Sequence, residues 1–186
     1  ALFFTQASGS FVDVWDIDQV AAAGKGDPQT GLVGRVPIGA EARVQPIRQG
    51  RPGAPPPDSA ALAAASQPRQ PGYHDFYIAY DAANHRDVFY GAGGQGYWVY
   101  DVTDLKNPKL LTSITGVAGV GGGHTFMVER TGRYAVTETE SQYQPLRLFD
   151  LKPGLDGTVK TISRPIGAWQ SDWKDLAHNF EIRWPY

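Results

Sequence analysis

The sequence has no cysteine, a single methionine and only four histidines among its 186 residues. Without cysteine there are no disulfides, no thiolate metal ligands and no cysteine nucleophile, and both reducing and oxidising compartments remain open. Neither sign of charge dominates: seventeen basic residues face nineteen acidic ones, a formal net charge of -2. No overall field therefore draws the chain to nucleic acid or to an anionic membrane, and no nucleic-acid partner is expected. No apolar run approaches the ~20 residues a spanning helix requires, so no membrane span is expected. Ala1 opens directly into the strand-like LFFTQA with no basic leader. Any signal peptide is thus expected to have been removed or to lie outside this sequence.

Glycine (22), proline (14) and aromatic residues (12%) are plentiful. That balance fits an all-β protein of short strands and tight turns better than a helical bundle. The length suits one domain.

Internal repetition carries most of the information. FVDVWDI (11–17), GYWVYDV (96–102) and PLRLFDL (145–151) share an ending of aromatic, aspartate, aliphatic. A β-rich run lies upstream of each: LFFTQAS (2–8), DVFYGAG (87–93) and RYAVTETE (133–140). Another lies downstream of each: LVGRVPI (32–38), KLLTSITG (109–116) and TVKTISRPIG (158–167). β-Branched and aromatic residues bounded by Gly, Asn, Pro and Asp predict strands in all nine.

Three histidines fall into register with this pattern. HDFYIAY begins at His74, HTFMVER at His124 and HNFEIRW at His178, each reading His, a small polar residue, then Phe. The repeating unit is therefore a histidine-led strand followed by three more, and four short strands in about 50 residues is the sequence form of a β-propeller blade.

GYWVYDVTDLKNPKLLTSI (96–114) resembles the LVIVD-repeat β-propellers, with their hydrophobic strand, Asp-Val-Thr/Ser-Asp, Asn-Pro turn and returning Leu-rich strand. FVDVWDIDQV and PLRLFDLKPGLDG match that pattern in part. The resemblance implies a propeller, secreted or otherwise extracytoplasmic, and brings no shared reaction with it.

The expected organisation is a β-propeller segment over 1–186. A partial blade (1–38) is followed by a Pro/Ala-rich insertion (39–72), blades at 74–116 and 124–167, and the first strand of a further blade at 178–186. Its twelve strands, about three four-stranded blades, are too few for an ordinary ring of 4–8 blades. Either the segment belongs to a larger ring, or the strand at 178–184 completes the first blade and several copies associate. The insertion reads as a surface segment of extended conformations. Its alternative is a docking arm with Arg43, Arg48, Arg51 and Arg69 as anchors.

In a propeller the first strand of each blade lines the central channel, so His74, His124 and His178 would converge. Such imidazoles can hold a divalent transition metal, iron, copper or zinc, with a neighbouring acceptor fixing each ring. The plainer expectation is that each histidine caps its strand. His85, in the turn DAANHRDV, stands apart. Asp16, Asp101 and Asp150 end their strands and are expected to accept backbone N–H bonds from the following turns. DVTDLKN offers the oxygen donors Asp101, Asp104 and Asn107 but lacks the Gly and terminal Glu of an EF-hand. The glycines of GAGGQG and GVAGVGGG lead into strands, so they read as close backbone approaches, not phosphate cradles. Glu138 and Glu140 share a strand face and could pair for acid–base work, although a solvated edge is the default. Trp169 and Trp173 suggest a helical turn packed by its rings.

Two functions follow. One is a protein-binding or scaffold module, partnered by another protein or by the rest of the propeller. The other is a metalloenzyme whose transition metal is held by axial histidines.

Overall fold

The computed structural model describes residues 2–6, 11–27, 29–39, 72–94, 96–117, 120, 122–140, 144–170 and 179–183. The chain is all-β, built from three sheets whose successive strands pair antiparallel. The first sheet is β1 (Leu2–Gln6), β2 (Phe11–Asp16) and β3 (Leu32–Pro37), in that order. The second is the meander β4 (Tyr73–Asp81), β5 (Arg86–Gly93), β6 (Gly96–Asp101) and β7 (Lys109–Thr115). The third comprises β8 (Thr125–Val128), β9 (Tyr134–Glu138), β10 (Leu146–Asp150) and, after a two-residue strand β11 (Thr161–Ile162), β12 (Gly167–Trp169). The sheets do not close into a ring among the described residues.

Period-two alternation explains how they stack. In β6, Tyr97 and Val99 point into one buried cluster and Trp98 and Tyr100 into the other. The first cluster joins the second and third sheets through Tyr90, Ile114, Phe126, Ala135 and Phe149. The second joins the first and second sheets through Val12, Val14, Val36 and Phe89. The middle sheet is thus apolar on both faces, which is why GYWVY reads as a continuous hydrophobic run. Each fully buried aliphatic or aromatic side chain contributes roughly 1.5–3 kcal/mol relative to exposure. Two glycines allow closer approach than any other residue would. A Cβ on Gly91 would lie 2.3 Å from the Tyr73 ring, and one on Gly123 would lie 2.2 Å from the Gly96 carbonyl oxygen.

The strand-ending aspartates hold the turns. Asp16 accepts from the Asp18 and Gln19 N–H groups, Asp101 from Thr103 and Asp150 from Lys152. Asp104 is engaged by Lys106 N–H and the Asn107 amide, so DVTDLKN folds as a self-bonded turn.

Four features depart from the sequence reading. After Asp16 the chain forms a short helix, α1 (Ile17–Ala23), because the capping carboxylate satisfies its first N–H groups. The run 158–167 is not one strand of its own sheet. β11 crosses to pair in parallel with β7, Thr161 opposite Ser113 and Ile162 opposite Ile114, and the fourth strand of the third sheet falls later, at β12. Trp169 lies in β12 with its side chain 61% exposed, in neither a helical turn nor a core. Residues 179–183 form no strand. Residues 40–71 of the insertion, with its four arginines, lie outside the described residues, as do Trp173 and His178. Among the described residues no helix is long and apolar enough to cross a membrane.

Candidate functional site

The two described members of the histidine repeat meet. His74, in β4, and His124, one residue before β8, come from neighbouring sheets, because β8 packs against β4 and β5. Their ring centroids are 4.0 Å apart and the planes are tilted by 34°. His74 is exposed, whereas His124 is buried. The backbone of His124 is anchored by its N–H bond to the Glu138 carbonyl at 3.0 Å. That same carbonyl accepts the Tyr97 hydroxyl at 2.7 Å, so the second sheet braces the segment as well.

Both ring nitrogens of His124 have neighbours. Nδ1 lies 3.0 Å from Thr125 Oγ1, whose hydroxyl donates onward to Asn179 Oδ1 at 3.1 Å. With its proton used there, Thr125 accepts from Nδ1–H. Glu138 Oε2 is also 3.0 Å from Nδ1, an ion-pair distance without aligned hydrogen-bond geometry. Nε2 faces Glu140 Oε2 at 3.0 Å. At that distance Nε2 either donates an N–H to the carboxylate, as a neutral Nε2–H tautomer or an imidazolium, or shares a metal ion with it.

Donor atoms of His74, His124 and Glu140 all lie within 4.8 Å of one another. Ligands about 2.0–2.2 Å from a zinc-class ion stand about 3–3.5 Å apart when they occupy adjacent vertices. The Nε2 to Oε2 distance fits that spacing as it stands. Two imidazoles and one carboxylate suit a first-row divalent ion and leave coordination positions open.

Glu138 is therefore not on a solvated edge, whereas Glu140, two residues beyond β9, keeps 39% of its side chain exposed. Glu138 is 2% exposed, and burial together with the nearby Glu140 charge pushes its carboxyl up to about 7. Its Oε1 accepts the Glu140 N–H. Glu140 sits in the left-handed region at φ 46°, uncommon for a residue with a side chain, and so does Asn179 at φ 49°. Such conformations cost energy and concentrate at functional sites. Neither φ value is legible in the sequence, and so Glu140 escaped notice as a histidine partner. The run of alternating glutamates was the available signal.

His74 and His124 open on a groove of about 700 Å3, lined among others by Asp75, Phe76, Tyr77, Met127 and Phe180. His85 is remote from it, in the tight turn between β4 and β5 at φ 52°. No protein-family profile, characterised protein or solved structure matches this chain.

Proposed function

We propose that this chain is part of an LVIVD-like β-propeller and that it binds a divalent transition metal through His74, His124 and Glu140. The observation that carries the reading is the juxtaposition of His124 Nε2 and Glu140 Oε2 at 3.0 Å, with the second imidazole stacked beside them. Repetition supports the propeller. The second and third sheets each begin with an antiparallel run that starts at or beside a histidine, and those histidines meet. Further sheets complete the ring, and the resemblance implies an extracytoplasmic setting. In place of three equivalent histidines, the ligand set described here draws its third donor from the end of β9.

Elemental analysis of the purified protein tests the reading. Stoichiometric iron, copper or zinc is expected, lost in His124→Ala and strongly reduced in Glu140→Gln. Protein that holds no transition metal even after incubation with each ion refutes it.

A scaffold or protein-binding role is favoured by a different observation. Among the described residues the outer face of the third sheet exposes apolar side chains, Leu148 being 37% and Trp169 61% exposed, with Ile166 beside it at 59%. Leu148→Asp and Trp169→Asp are expected to abolish such binding and to leave the metal site intact.

A further inference from the structure

His74 and His124 line a groove whose volume, about 700 Å3, falls within the usual range for small-molecule sites of ≈ 300–1,000 Å3. Three protein ligands leave positions on the ion that a water or substrate fills, the arrangement of catalytic metal sites as opposed to closed structural ones. Phe76, Tyr77, Met127 and Phe180 give the groove an apolar wall beside those positions. Phe76 turns to one face of β4, stacked on Phe89 with ring centroids 5.5 Å apart, and Tyr77 to the other, its ring 6.4 Å from that of Tyr90. Tyr77 projects from the same strand with 38% of its surface exposed. The charged side chains among the described lining residues, beyond the histidines, are Asp75 and Glu181. No lysine or arginine among them is placed to accept a phosphate or a polyanion.

From this we infer that the groove binds a small organic molecule that coordinates the metal through an oxygen donor and lays an aromatic or other apolar body against Tyr77. The inference rests on the metal reading above and adds its ligand class. Nucleotides and other phosphate-rich compounds are disfavoured because Asp75 and Glu181 repel them and no lysine or arginine among the described lining residues offsets that charge.

Cobalt(II) serves as the spectroscopic probe. The intact protein is loaded with cobalt and its visible absorption is followed during titration with acetohydroxamate, benzohydroxamate and inorganic pyrophosphate. The two hydroxamates share a donor and differ by the ring. Benzohydroxamate is expected to perturb the cobalt spectrum at roughly tenfold lower concentration than acetohydroxamate, a difference of ~1.4 kcal/mol. Tyr77→Ala is expected to remove most of that preference while leaving acetohydroxamate affinity unchanged, which also reports that the variant is folded and loaded. Equal affinity for the two hydroxamates, tighter binding of pyrophosphate than of benzohydroxamate, or a cobalt spectrum that neither hydroxamate alters would overturn the ligand class while leaving the metal reading in place. Failure of cobalt, iron, copper and zinc alike to bind overturns both.

Discussion

Nε2 of His124 and Oε2 of Glu140 are 3.0 Å apart across the end of two neighbouring strands, at a point where the glutamate backbone takes a left-handed conformation. The opposite nitrogen of the same ring is held by Thr125, itself tied to Asn179. The imidazole is thus oriented from one side and faces the glutamate on the other; such a partner is what fixes ring orientation in histidine metal sites.

Removing that orientation without touching a ligand gives the first prediction. Thr125→Val keeps the side-chain outline and deletes the hydroxyl between Nδ1 and Asn179. Metal affinity is expected to fall about 10–100-fold, the usual effect of losing such a partner. Competition against a chelator measures it, with Thr125→Ser as the restoring variant. Unchanged affinity in Thr125→Val would show that the hydroxyl does not orient the ring.

Alternation along β10 gives the second. Phe149 is fully buried in the cluster between the second and third sheets, while Leu148 faces outward and is 37% exposed. Phe149→Ala is expected to cost about 3–5 kcal/mol. Leu148→Ala, one residue away, is expected to stay within roughly 1 kcal/mol of the parent. Urea denaturation of both variants is the measurement, and similar losses would mean that the face assignment of this strand is wrong.

A third prediction concerns Gly123. Its Cα lies so close to the second sheet that an added methyl would meet the Gly96 carbonyl oxygen at 2.2 Å and the Gly93 nitrogen at 2.8 Å. Both obstacles are backbone and cannot swing aside. Gly123→Ala is expected to destabilise by about 1–3 kcal/mol, since overpacking forces the neighbours apart. It should also displace His124, lowering metal affinity together with the unfolding midpoint. A variant with parental stability and parental metal binding would contradict the close approach.

Acid stability supplies the fourth. Glu129 closes the β8–β9 turn by accepting the N–H groups of Thr131 at 2.7 Å and Arg133 at 2.9 Å, as well as the Thr131 hydroxyl. Partial burial raises its carboxyl pKa, but these bonds outweigh it, and the net shift is below the ordinary glutamate value of 4.5. A carboxyl lowered in the folded state releases its proton more readily there than in the unfolded chain. Its contribution is therefore present above pH 4.5 and lost as the pH falls through the lowered value. Glu129→Gln is expected to be less stable than the parent at neutral pH and to converge with it in acid. A constant difference across that range would show that the carboxylate charge is not what the turn uses.

Much of the fold was legible because its determinants are local. Alternating apolar residues and the Gly, Asn and Asp punctuation located β1 to β10 to within a few residues, since strand faces and turns are encoded at short range. The equivalence of His74 and His124 was legible as repetition, and their proximity follows once neighbouring sheets stack in the same sense. What escaped was non-local or conformational. Nothing in TVKTISRPIG announces that Thr161 and Ile162 will join the preceding sheet, because that pairing depends on where β7 lies. Glu140 depends on a backbone angle that periodicity cannot report. Seven-residue α1 was missed because its signal is mainly one capping aspartate, whose role as a turn-former was recognised in more general form.

The crossing made by β11 has a consequence for how the molecule comes apart. Thr161 and Ile162, which belong in sequence to the third sheet, are bonded to the outer strand of the second, where Lys160 O also receives the Ser113 N–H. Neither sheet can peel away without severing a ladder that involves the other. Pulling or partial proteolysis should therefore release residues 73–169 as one cooperative block, with the imidazole junction and this two-residue clasp failing together.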